Sequence, residues 1–242
     1  MNRPLATIVL STAALSLALA GGCCTQSDPV AAGFTPLFNG TDFEGWNRNA
    51  DAEAHWSVRD GALDFDGVKG DLWTEDSFED FELLLEWRWE GPSQGPVERP
   101  IIEPDGSLRL DENGDAVTVL VEERDSGVYL RGNSKSQVNI WEWPAGSGEV
   151  YGYRTDGSMP AATRAAATPR SRADRPVGEW NAFRIRIVGE TLNVHLNEAH
   201  VLVDCVLPGV PDSGPIGLQA HGSAIRFRNL YIRPVTAGSP SD

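Results

Sequence analysis

Cations are scarce in this chain: 20 lysines and arginines stand against 35 aspartates and glutamates, a formal net charge of −15. That balance repels nucleic acid and anionic membrane surfaces, so neither is expected as a partner; a neutral or cationic ligand meets no such barrier. Cysteine is scarce too. Cys23, Cys24 and Cys205 are odd in number and follow no ligand spacing, which argues against a disulfide framework or a zinc motif and leaves Cys205 as a buried free thiol. Long amphipathic helices and internal repeats are missing. The stretch "LATIVLSTAALSLALA" is apolar but too short and too poorly flanked for a resident spanning helix.

That stretch reads instead as part of an export signal. Arg3 supplies the positive start, and residues 1–22 are set apart from the fold. Leu19-Ala20-Gly21-Gly22-Cys23 resembles a bacterial lipoprotein signal, which implies lipidation of Cys23, a membrane contact through that lipid, and a periplasmic or cell-envelope location. Residues 23–33 then read as a tether, 34–235 as one domain and 236–242 as a disordered tail.

What the domain has in abundance is turn residues, 25 Gly and 16 Pro across the whole chain, between short alternating segments. Strands are expected in "HWSVRDGALDF", "FELLLEWRW", "SGVYLRG", "SQVNIWEW", "AFRIRIVG", "ETLNVHLN", "PIGLQAHG" and "AIRFRNLYIR". This is an all-β pattern of sandwich size. Two long loops, 91–124 and 144–179, interrupt it; in the second, Pro160, Pro169 and Pro176 limit any helix to one or two turns. In the first, "DENGDAVTVLVE" has the acidic spacing of a calcium loop but Ala116 where the tight turn needs Gly, so Asn113-Gly114 reads as a hairpin turn.

A period of two sorts each strand into faces. Phe81, Leu83, Leu85, Trp87 and Trp89 share the core side of one strand, leaving Glu82, Leu84, Glu86 and Arg88 on the other. Val128 and Leu130 oppose Gly127, Tyr129 and Arg131; Val138 and Ile140 oppose Gln137, Asn139 and Trp141; Ile216 and Leu218 oppose Gly217, Gln219 and His221. If these strands lie in one sheet, the second faces form one surface of amides, aromatics, guanidinium, carboxylate and imidazole. Such a surface suits a carbohydrate, whose hydroxyls need planar donors and acceptors and whose C–H faces need rings. Trp141 is expected there as a sugar platform whose loss spares the core, and Trp46, Trp56, Trp87 and Trp89 as packing residues.

"PLFNGTDFEGW", "HWSVRDGAL", "DFELLLEWRW", "DSGVYLRG", "GEWNAFRIRI" and "GPIGLQAHGSAIRFRNLYIR" occur in the order found in the 3-keto-disaccharide hydrolase domain family, which residues 34–235 resemble. The resemblance implies a concanavalin A-like jelly-roll sandwich of two antiparallel sheets and a part in bacterial breakdown of oxidised glycosides. The chain departs from the more usual family pattern "YE-x-Q-[IL]-x-D" by carrying Gln137, Asn139 and Trp141 there.

A 3-keto sugar has an acidic C2–H, so a base can remove that proton, a cation can hold the enolate oxygen and the C1 substituent can leave. Glu86 and His221 are the candidates for base and acid, Arg131 and Arg88 for the clamp, and a divalent metal could polarise the ketone. Tyr129, Gln137, Asn139, Trp141, Tyr153 and Gln219 complete the expected sugar contacts. Direct hydrolysis by Glu82 and Glu86 is disfavoured, since four residues along a strand separate them by roughly 13 Å, beyond the ~5–9.5 Å of glycosidase pairs. A non-catalytic binding module on the same sandwich is the alternative.

Overall fold

The computed structural model describes residues 28–235; the stretch expected to be an export signal, Cys23 and Cys24, and the residues from 236 lie outside the described residues. The chain runs through β1 (Thr35–Pro36), β2 (Trp46–Asn47), α1 (Ala50–His55), β3 (Trp56–Arg59), β4 (Ala62–Phe65), β5 (Leu72–Thr74) and β6 (Phe81–Trp89). It continues through β7 (Pro96–Pro100), β8 (Thr118–Glu122), β9 (Asp125–Leu130), β10 (Asn133–Trp141), α2 (Tyr151–Arg154) and α3 (Ala161–Ala166). The last strands are β11 (Asn181–Val188), β12 (Thr191–Leu196), β13 (Ala199–Val206), β14 (Gly217–Leu218) and β15 (Ile225–Pro234).

Two antiparallel sheets stack face to face, as the concanavalin A-like sandwich requires. The larger has the order β13-β12-β11-β6-β15-β4-β3, with β1 on β15; the smaller runs β10-β9-β14-β5-β2. Alternation sets both inner faces: β11 is buried at every second residue, and Leu83, Leu85 and Trp87 of β6 meet Val128, Val138, Ile140 and Leu218 of the small sheet in one core. Side chains of this size stabilise by about 1.5–3 kcal/mol each on burial, so a register slip of one residue would be costly. Trp46, Trp56, Trp87 and Trp89 are buried, and Cys205 is a buried free thiol whose pKa burial pushes up to about 12.

The expected single polar surface does not form. β6 belongs to the large sheet and β9, β10 and β14 to the small one. Because their apolar faces meet in the core, their polar faces point away from each other, and Glu86 and Arg88 lie on the opposite side of the sandwich from His221.

Both long loops carry structure. The first forms the hairpin β7–β8, extended by bridges Ile102↔Leu108 and Leu110↔Ala116. At its tip Asp111 Oδ1 accepts from the Asn113 and Asp115 amides, and Gly114 takes φ +87°, so the turn falls at Asn113-Gly114 as expected. The second carries α2 and α3, each under two turns long. The end of the expected tether, residues 28–33, is docked: Phe34 N–H donates to Pro29 O, and Arg233 donates to Ala32 O while lying over the Phe34 ring.

Candidate active site

The outer face of the small sheet collects the chemistry. Register places Gly217 opposite both Trp73 and Tyr129, Gly127 opposite Asn139, and Asp125 opposite Trp141. Continuing the β14–β9 pairing two residues at a time puts Gln219 beside Gly127, whose carbonyl accepts the Gln219 amide, and His221 beside Asp125. Two glycines open this face. A Cβ at Gly217 would sit 2.7 Å from the Trp73 ring, and one at Gly127 would overlap the Gln137 side chain. Their absence lets Trp73 lie flat against Tyr129, 5.0 Å between ring centroids and 6° from parallel, and lets Gln137 reach Gln219 at 2.5 Å.

His221 is the most exposed member of the group. Its Nδ1 lies 3.1 Å from Asp125 Oδ2; the imidazole is 57% exposed and the carboxylate only 11%. The hydrogen bond and charge of Asp125 raise the His221 pKa against the opposing effect of burial. With Nδ1 committed, Nε2 is the nitrogen left to exchange a proton with a ligand. The loop before β7 secures this arrangement, since Gln94 Nε2 donates to His221 O and to Ser223 Oγ, each at 2.9 Å. Beside it, Asp71 accepts the Ala220 amide at 2.8 Å, and burial raises its pKa. Burial and the Asp71 charge push Tyr129 up to about 12, so its phenol keeps its proton at neutral pH.

One step along the same face stands a second row. Trp143 stacks on Trp141 at 4.0 Å and donates through Nε1 to Glu123 Oε2; Arg99, from β7, lies over Trp143 and pairs with Glu123 at 2.5 Å. These contacts join the β7–β8 hairpin to the loop after β10 beside this face.

The residues expected from the sequence divide. Tyr129, Gln137, Gln219 and His221 come together. Asn139 and Trp141 point to the same face but are covered: Asn139 Nδ2 donates to Glu149 O, and Trp141 is 2% exposed beneath Trp143, its Nε1 donating to Gly146 O. Trp141 is thus a packing residue, contrary to expectation. Trp141→Ala should cost about 3–5 kcal/mol through the cavity it leaves, read as a lowered melting temperature; unchanged melting with weakened sugar binding would restore the platform role.

Tyr153 is also buried, inside the core cluster, with its hydroxyl donating to Pro208 O. Arg131 takes φ +52° just past β9, and its guanidinium turns away to donate to Glu79 O, Gly189 O, Pro211 O and Asp80 Oδ1. All its reach is spent on tying loops, so it is no enolate clamp. On the far sheet, Glu86 accepts from Arg228 and Asn229, while Arg88 pairs with Glu90 and lies over Trp180. Glu82 is buried between Arg184 and Arg233.

Asp125, Asp71, Trp73, Glu123 and Arg99 were not anticipated. Asp125 carried a signal, sharing the parity of Gly127 and Tyr129; "DLWT" is too short to announce a strand. Among the described residues no group of three or more His, Cys, Asp or Glu is placed to hold a metal ion, and His221 with Asp125 supplies only two donors, so the residues present do not by themselves build a metal centre.

A family model described as a 3-keto-alpha-glucoside-1,2-lyase-like domain matches residues 33–233. Three crystal structures from Parabacteroides distasonis ATCC 8503, each called a "putative glycosyl hydrolase", share the fold. The first is 23% identical with a TM-score of 0.58 and 84% of each chain covered. The second is 19% identical with a TM-score of 0.56, covering 86% of this chain and 96% of the other. The third is 22% identical with a TM-score of 0.51, covering 84% and 99%. No curated protein matches the chain. At such identities the structures carry the fold alone, but the family match spans nearly the whole described domain: the chain belongs to the 3-keto-alpha-glucoside-1,2-lyase-like domain family, whose members are carbohydrate-active, glycosidase-like proteins.

Proposed function

We propose that this protein cleaves 3-keto-glycosides by elimination across C1 and C2, with His221 as the base. The observation that carries the reading is the Asp125–His221 pair beside the stacked Trp73 and Tyr129 rings on the outer face of the small sheet. Asp125 holds the tautomer that leaves Nε2 unprotonated and stabilises the imidazolium that forms when it takes the C2 proton. The C2–H electron pair becomes the enolate of the C3 ketone, with the Gln219 amide as the neighbouring donor for its oxygen, since the Tyr129 phenol donates to Asp71. Collapse of the enolate forms the C1=C2 bond and expels the C1 oxygen substituent with its electron pair. The imidazolium returns its proton to that leaving group. Addition of water, hydroxyl to C1 and hydrogen to C2, completes a net hydrolysis.

Direct hydrolysis is poorly served. Glu82 and Glu86 lie on the far sheet, Glu142 pairs with Arg172 and Glu149 with Arg154. A binding module would have no need of a carboxylate-oriented imidazole, so the catalytic reading is preferred over it. The test is product analysis after incubation with 3-keto-glucosides and with the parent glucosides, with and without chelator. The 3-keto compounds should be cleaved and the parents left nearly intact, because only the ketone acidifies C2–H. Comparable cleavage of both would overturn the elimination scheme.

A further inference from the structure

Behind the second row of the outer face lies a pocket of about 200 Å³ between the β7–β8 hairpin and the loop after β10. Its walls are Pro100, Ile102, Leu108, Trp143 and Tyr151, and Glu149 lies at its buried side. Glu149 is fully buried. It forms an ion pair with Arg154, but neither of its carboxylate oxygens, nor Arg154 Nε, has a hydrogen-bond partner. A buried carboxylate oxygen left unbonded costs free energy that a ligand's donor would recover. The pocket is also placed for a role at the dyad. Trp143 and Arg99 line it and both bond Glu123, which lies two residues before Asp125. Glu123 and Arg124 form the link between β8 and β9, so one short segment joins the residue that the pocket's lining bonds to the dyad.

Resting on the elimination reading above, we propose that this pocket is the leaving-group subsite and that it takes an aglycone with a single flat apolar ring bearing a hydroxyl. The walls decide between a second sugar and such a ring. A pyranose brings hydroxyls around its whole edge, but the polar groups here are few and Arg99 and Arg154 already serve carboxylates. An apolar ring fits the space, since a cavity of about 150 Å³ accommodates benzene. Its hydroxyl would give Glu149 Oε2 the donor it lacks. The substrate class is then the 3-keto-glucosides of phenol-like alcohols, and disaccharides become the poorer substrates.

Two measurements test this. Specificity constants are compared for 4-hydroxyphenyl 3-keto-glucoside, methyl 3-keto-glucoside and a 3-keto-disaccharide, in the wild type and in Leu108→Trp, which fills the pocket from the hairpin's partly exposed edge. The aryl substrate should be favoured by about tenfold or more, the scale an apolar pocket supplies, and the ratio should fall toward one in Leu108→Trp with melting temperature retained. Separately, binding of free hydroquinone is followed by ligand-observed NMR; it should be seen in the wild type and lost in Leu108→Trp. This second arm needs no turnover, so failure of the elimination reading and failure of the subsite are distinguished. No hydroquinone binding at millimolar concentration, or an aryl preference that is absent or unchanged in Leu108→Trp, overturns the inference.

Discussion

Replacing His221 with alanine is expected to lower turnover of a 3-keto-glucoside by about 10²–10⁴-fold, the usual worth of a positioned base, while leaving affinity for the substrate nearly unchanged. Asp125→Asn should give a milder loss with a distinctive pH signature. Asp125 raises the His221 pKa by favouring the imidazolium. The working base is the neutral form, so activity rises with pH through that raised pKa. Once the carboxylate charge is gone, the opposing effect of burial remains and the inflection moves to lower pH, while the plateau falls because the tautomer is no longer held. The same pair contributes stability only below the raised pKa and loses it as pH rises through that value. With the ring more than half exposed this contribution is small. Full turnover in His221→Ala, or an acid limb unmoved in Asp125→Asn, would remove the dyad from the mechanism.

Arg131→Ala should act on folding, not on chemistry. The guanidinium is 1% exposed and joins three backbone carbonyls from separate loops to Asp80, whose Oδ1 also accepts the Gly189 amide. Removing it leaves those carbonyls and a carboxylate without their donor, a loss of about 3–5 kcal/mol for a buried charged partner. In a domain of this size that is roughly a 10 °C drop in melting temperature. Specificity constants for the fraction that stays folded should match the wild type. A collapse of turnover with unchanged melting would return Arg131 to the site.

Most of the strands were legible because their alternation is nearly clean: β6 shows one apolar and one polar residue in turn except at Leu84, and β11 does so from Phe183 to Ile187. β13 was not, because its pairing with β12 shifts register between Leu192 and His195 and Asp204 takes φ +49°, which breaks the period that a reader counts. β5 is three residues long and takes its place from pairing with β14 and β2, which no local pattern announces, whereas β14 falls within the expected "PIGLQAHG" but is only two residues long. The site was half legible for a related reason. Parity assigns a side chain to a face of its own strand, and it put Tyr129, Gln137, Gln219 and His221 on the correct side. It cannot say which strands share a sheet, so Glu86 and Arg88 were grouped with residues from which the whole core separates them. Nor can it see what is laid over a face: Trp141 and Asn139 point outward and are buried by the loop that follows them.

The central claim is that the base removes the C2 proton before C1 loses its substituent. A 3-keto-glucoside deuterated at C2 tests it in one measurement, the isotopic content of position 2 in the released sugar. Elimination and hydration through His221 predict solvent hydrogen at C2 in place of deuterium. Release of a sugar that keeps its deuterium in full would mean that C1 is attacked directly, and would contradict the account.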